Sequence, residues 1–181
     1  MLQPALLDGN HGELKKLLAH FSTLKKDFEQ QALTVDIIRQ IFEQLLWIIN
    51  CFVFNIIVER NSQYCEMSTA FEMKLAISEV EQWISTQFST QEAEEMRMQL
   101  NHVNQACTLL ISTPVVEEKE MREENLPDLN DAQLLNILTT LFKSDKSLLT
   151  PPIESLLSEL KESHLTSDAL LNPEKIVAFD V

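Results

Sequence analysis

The sequence predicts an all-α fold, on three observations. The chain has 181 residues but only two glycines, Gly9 and Gly12. Past residue 12 it therefore lacks the residue that sheet proteins use for tight turns, bulges and phosphate loops. Leu, Ile, Glu, Gln and Lys dominate the remainder, and apolar positions recur at spacings of three and four rather than alternately. The length suits one domain with a real core and is short for two. Residues 1–181 are accordingly read as a single multi-helix bundle, with residues 1–12 as a disordered start.

Residues 13–28 carry Leu14, Leu17, Leu18, Phe21, Leu24 and Phe28 on one helical face. Thr34 can cap a second helix, expected over about 34–60. Its first half is amphipathic through Ile37, Ile38, Ile41, Phe42 and Leu45. Its second half, LLWIINCFVFNIIV, is apolar on all sides. A helix apolar all round must be surrounded by others, so this long helix is expected at the centre of the bundle. Asn50 and Asn55 within it then need buried hydrogen-bond partners. The apolar run covers residues 45–58, short of the roughly 20 residues of a membrane span, and reads as a core helix without direct membrane insertion.

Ser68 or Thr69 can open a third helix through Met73, Ile77, Val80, Trp83 and Ile84. Ser89 with Glu92 has the spacing of a capping box, and starts a fourth helix expected to run unbroken through Met96, Leu100, Val103, Cys107 and Leu110 to Pro114. The acidic stretch VEEKEMREEN lacks apolar periodicity, so residues 114–128 read as a solvated acidic loop. Asn130 with Gln133 is a second capping-box pattern, launching Leu134, Leu135, Leu138, Leu141 and Phe142. Thr150 before Pro151 starts a last helix through Ile153, Leu156, Leu157 and Leu160. The β-branched, Pro-led tail LNPEKIVAFDV is expected as an extended C-terminal segment laid on the bundle.

The formal net charge of −14 disfavours nucleic-acid phosphates and anionic lipid head groups as partners. Three cysteines, Cys51, Cys65 and Cys107, show no paired spacing and suit a reducing, cytoplasmic setting. No secretory signal is read at the start. The four histidines have no second His or Cys at ligand spacing, so no metal or other cofactor is expected. Cys65 is the one candidate thiol nucleophile, placed in a polar joint, but Glu59 and Glu66 beside it should raise its pKa, which opposes activation. No serine has a glycine-framed turn. The sequence foretells no enzyme.

Several elements stand in a familiar order. They are Phe54-Asn55, then Val58-Glu59-Arg60, then Cys65, then Lys74-Leu75-Ala76-Ile77-Ser78-Glu79-Val80-Glu81-Gln82-Trp83. Gln105-Ala106-Cys107-Thr108-Leu109-Leu110 and Leu129-Asn130-Asp131-Ala132-Gln133 follow. Together they resemble the dilute (DIL) domain of the globular cargo-binding tail of myosin V and myosin XI, found also in afadin-type scaffolds. The stretch Glu66-Met67-Ser68-Thr69-Ala70 departs from the family, which often has an aromatic and a glycine there. Ala76 stands where Asn is common, and Arg60 beside Glu59 replaces a basic pair.

The resemblance implies a non-catalytic cargo- or partner-binding domain, linking vesicle or organelle adaptors to an actin motor. The implied partners are proteins, namely Rab-type GTPases or vesicle adaptors, in the cytoplasm near actin or vesicles. Two alternatives stand beside it: an afadin-like, Ras-associating scaffold of cell junctions, and a structural or regulatory lobe of a larger tail. Phe54, Asn55, Cys65, Trp83, Gln105 and Gln133 are motif residues expected to act structurally. Lys74, Ser78 and Glu81, three and four apart on the third helix, are expected to form a polar cluster within or between helices and to be the partner-binding residues, on the exposed part of the Lys74 to Glu81 face.

Overall fold

The computed structural model describes residues 11–59, 63–144, 146–162 and 168–174. Among these are eight α-helices and no strand: α1 (His11–Gln30), α2 (Val35–Val58), α3 (Met67–Gln87), α4 (Thr90–Met98), α5 (Asn101–Ile111), α6 (Lys119–Asn125), α7 (Asp131–Ser144) and α8 (Pro151–Glu162). Short 3-10 turns at Thr113–Val116 and Lys146–Leu148 precede α6 and α8. The expected all-α class and long apolar helix are therefore observed. Arg60, the expected disordered residues before His11, and the tail beyond Glu174 lie outside the described residues.

The glycine-poor sequence shapes the first turn. α1 ends in a Schellman motif, in which Leu33 N–H donates to the Phe28 carbonyl and Ala32 N–H to Glu29, both at 3.1 Å. The left-handed position that usually takes glycine is filled by Ala32, at φ 59°. Thr34 then caps α2, its hydroxyl accepting from Ile37 N–H.

α2 touches α1, α4, α5 and α7, and its buried residues include Ile38, Phe42, Leu46, Cys51, Phe54, Ile57 and Val58. By length and composition it could cross a membrane, but 56% of its apolar window is buried inside the bundle. The surround is incomplete: Phe52 is 54% exposed, so the helix is not enclosed on every side as expected. Arg39 ties α2 to α4, donating to Glu43 at 2.7 Å and Glu95 at 3.1 Å.

The fourth helix is not continuous as the sequence suggested. Ser89 and Glu92 form the full capping box, and α4 then stops at Met98 without glycine or proline. An unbroken helix would send the Val103 amide to the Gln99 carbonyl. It donates instead to Asn50 Oδ1 on α2, at 3.0 Å, and the helical ladder restarts with Asn104 N–H to Leu100. The residue at the α5 N-cap, Leu100, supplies no side-chain bond, so the cap comes from another helix. Asn50 thereby finds the buried partner it needed, although its Nδ2 lacks one.

The expected acidic loop is also corrected. Residues 113–116 form the 3-10 turn and 119–125 form α6, with Val115, Val116 and Leu126 buried at its two ends. Arg122 Nη1 donates to the Val116 carbonyl at 3.2 Å, fastening the helix to that turn. α6 itself buries nothing, which is why it showed no apolar period.

After α8, residues 168–174 lie as a non-helical strap on the bundle. Asn55 Nδ2 donates to the Leu171 carbonyl at 2.9 Å, and Leu171 N–H donates back to Asn55 Oδ1 at 2.7 Å. Trp47 Nε1 reaches the Asn172 carbonyl at 3.3 Å, and Asn130 Nδ2 the Asp168 carbonyl at 3.1 Å. The described start of the tail is docked on the bundle through these bonds, but it runs through bends and a turn at residues 173–174 rather than as an extended segment, and the remainder of the expected segment lies outside the described residues.

Candidate functional site

The third helix carries the residues singled out for partner binding. Its inner face buries Ala70, Met73, Ala76, Ile77, Val80, Trp83 and Ile84. Trp83 stands among aromatic rings, with centroids 5.6 Å from Phe21, 5.4 Å from Phe42 and 6.0 Å from Phe88. Its indole Nε1 donates to Ser22 Oγ at 2.8 Å, which satisfies the polar end of a buried ring. This cluster locks α3 to α1 and α2 and fixes the rotation of α3, hence which residues face outward. α3 begins at Met67, one or two residues before the expected opening at Ser68 or Thr69, with Glu66 at the cap.

Lys74, Ser78 and Glu81 do not draw together as one cluster. The Lys74 ammonium crosses to α5 and donates to Asn104 Oδ1 and, at 2.9 Å, to Thr108 Oγ1. Desolvation in this half-buried position is the main cause of a lowered Lys74 pKa, opposed by Cys107 and Glu81. Ser78 is exposed and Glu81 half-buried. The sole cation of α3 is thus turned toward neutral partners on α5.

What faces outward was missed from the sequence. Met67, Phe71 and Leu75 are 40%, 50% and 55% exposed, at successive four-residue steps. That spacing stacks them on one side of the helix, and Ser78 and Gln82 continue the same side. Glu66 and Glu72 are exposed beside them, and Glu79 and Glu81 are half-buried further along. Beyond the stripe, a groove of about 460 Å³ opens between α1 and α3, lined by Lys15, Leu18, Glu79, Gln82, Trp83 and Thr86. The signal was present in the sequence, since α3 has apolar residues on two faces, but only one face was assigned.

The other motif residues hold the frame. Phe54 is fully buried, and Asn55 clamps the strap. Gln105 grips Asp128 twice, its Nε2 donating to Oδ2 at 2.6 Å and its Oε1 accepting from the Asp128 amide at 2.9 Å. Asn101 Nδ2 adds a third bond to the same carboxylate at 2.9 Å. These bonds pin the turn that leads into α7. Gln133 is buried in a reciprocal capping box, accepting from Asn130 N–H and donating its own N–H to Asn130 Oδ1, both at 2.9 Å.

Cys65 is buried despite its polar neighbours, with Sγ 3.5 Å from the Ile137 carbonyl on α7. Burial, rather than the glutamates named from the sequence, pushes its thiol up to about 12. Cys107 is likewise pushed up to about 12 by burial. Thiols so protonated are poor nucleophiles. Among the described residues no three His, Cys, Asp or Glu side chains stand together as metal ligands.

Two comparisons bear on this architecture. The family model described as "DIL domain" matches residues 40–145, more than half of the chain. That span runs from near the start of α2 through α7 and includes the whole of α3. The chain is also similar to the Myosin-H heavy chain of Dictyostelium discoideum, at 28% identity over 146 residues. The alignment covers 78% of this chain and 8% of that protein, so the chain spans under a tenth of the relative it matches. With the family model matched over more than half of its length and an all-α architecture, the chain belongs to the DIL-domain family.

Proposed function

We propose that this chain is a non-catalytic, myosin-tail-like domain that binds protein cargo or its adaptors and links them to an actin motor. The observation that carries this reading is the outward apolar stripe of α3. Large apolar side chains stacked on one exposed helix face cost solvation that a binding partner would recover. The family membership supports a protein-interaction role, and the likeness to a myosin heavy chain supports the link to a motor. Rab-type GTPases and vesicle adaptors are the partner classes that fit this setting, in the cytoplasm and near actin or vesicles.

The test is affinity capture from cytosol with the full chain as bait, and identification by mass spectrometry. Recovery of Rab-type GTPases or vesicle adaptors above a folded acidic control protein is expected. Recovery of junctional Ras-pathway proteins instead, or of nothing beyond the control, would overturn the cargo reading.

A further inference from the structure

We infer that the Met67, Phe71 and Leu75 stripe is the docking face for a basic amphipathic helix of a partner protein. This rests on the partner-binding reading and adds the chemistry of the segment recognised.

The shape of the stripe fits a helix. Its three side chains step by four residues, so they line about 12 Å of α3 at about 1.5 Å rise per residue. A helix laid along that line presents its own residues at i, i+4 and i+7 in register with them. No strand edge exists among the described residues for an extended peptide to pair with. The continuing side of α3, through Ser78 and Gln82, leads to the groove beside α1 and leaves room for a partner longer than the stripe itself.

The charge of the stripe fits a base. Between residues 66 and 87 there are four glutamates and one lysine. That lysine, Lys74, bonds across to Asn104 and Thr108 on α5. Glu66 and Glu72 are the exposed charges flanking the apolar line, and the whole chain carries −14. Lysine or arginine on the flanks of an incoming helix would meet these carboxylates at the rim, while its apolar residues cover Phe71 and Leu75. Such a rim speeds encounter and selects the sign of the partner.

The same charges argue against the other occupants. A second copy would set Glu66 and Glu72 against their own images, with −14 on each molecule. An anionic membrane surface is repelled for the same reason.

The test uses a labelled synthetic helix of about four turns, with leucines on one face and lysines or arginines on its flanks. A scrambled peptide of equal composition and a version with glutamates for the cations accompany it. Fluorescence anisotropy is measured against the full chain and against Phe71→Ser and Leu75→Ser, whose exposed positions leave the core untouched. A Glu66→Lys/Glu72→Lys variant completes the set, and circular dichroism checks each for native helicity.

The expected result is binding of the basic amphipathic peptide alone, weakened about tenfold or more by either serine variant and by charge reversal, and weakened by salt. Equal binding of the scrambled peptide, preference for the acidic peptide, or indifference to Phe71→Ser would overturn the inference. So would a dimer in sedimentation that Phe71→Ser abolishes. If cytosolic capture still succeeds with Phe71→Ser and Leu75→Ser, the cargo reading stands and this face is not its site.

Discussion

Replacing Ala32 by glycine should stabilise the protein, although glycine usually weakens a helical protein. Ala32 sits at φ 59°, in the left-handed position of the Schellman turn after α1. A left-handed residue with a Cβ costs about 1–2 kcal/mol. Glycine removes that cost but gives the unfolded chain more freedom, which takes back about 0.4–1 kcal/mol. The net gain lies between about 0 and 1.6 kcal/mol, with a mid-range value of about 0.8 kcal/mol, or a rise in Tm of about 2–3 °C for a chain of this size. The two turn bonds, from Leu33 to Phe28 and from Ala32 to Glu29, use only backbone atoms and survive the change. Phe28 and Leu33 still pack on the core.

The matching control is Ala19→Gly, on the exposed face in the middle of α1, where glycine costs about 1 kcal/mol. Urea titrations of both variants followed by circular dichroism should therefore move in opposite directions. A loss of stability in Ala32→Gly equal to that in Ala19→Gly would refute the argument, because it would mean that the turn carries no strain for glycine to release.

Three further outcomes follow from the geometry. Asn55→Ala removes both strap bonds to Leu171, each worth about 0.5–1.5 kcal/mol, and water can replace part of that at the half-buried strap. The Leu171 amide should exchange hydrogen about 5- to 30-fold faster while the Ala106 amide in α5 is unchanged, as read by NMR; a shift of both together would show that the strap does not open locally. Phe42→Ala, at the centre of contacts with Phe21, Trp83 and Phe88, should cost about 3–5 kcal/mol in denaturant unfolding, and a cost below 1 would deny the aromatic cluster its role.

The third outcome concerns the thiols. Unfolded cysteines titrate near 9.0, whereas folded Cys65 and Cys107 hold their protons to about 12. Between those values the folded state binds more protons, so stability is full below pH 9 and falls as pH rises toward 12. The slope is about 1.4 kcal/mol per pH unit for each thiol. Unfolding midpoints measured across that range should decline less steeply in Cys65→Ala and Cys107→Ala, and an unchanged slope would contradict the burial argument. Native protein at pH 8 should also leave all three buried cysteines unreacted with a thiol reagent.

The parts legible in the sequence were those written in local chemistry. Thr34, Ser89 with Glu92, and Asn130 with Gln133 announce helix starts through bonds that span three residues, and each bond is present. α2 was legible because an apolar run of that density has few places to go. The features that escaped are set by residues far apart. The break between α4 and α5 follows from Asn50, 53 positions away, taking the Val103 amide. Cys65 is buried because its joint folds onto α7, which its acidic neighbours hide. α6 escaped because it is held at its ends by Val115, Val116 and Leu126 and buries no face. At the candidate site, the inward residues of α3 were read correctly and the outward apolar ones were not. Periodicity says that a helix has two apolar sides but not which side is left open.

The side chain of Asn50 has a consequence for how the molecule assembles. Nothing between residues 89 and 111 instructs the chain to stop a helix, since that stretch contains neither glycine nor proline. Taken alone, it has every local reason to propagate as one rod of about 34 Å. The boundary between α4 and α5 is therefore a property of the contact with α2 and not of the segment itself. During synthesis α2 leaves the ribosome first, so the template that divides the rod is already present when the rod is made. A carboxamide on one helix thus acts as punctuation for another, and the bend that lets α4 and α5 both lie against α2 exists only once the two have met.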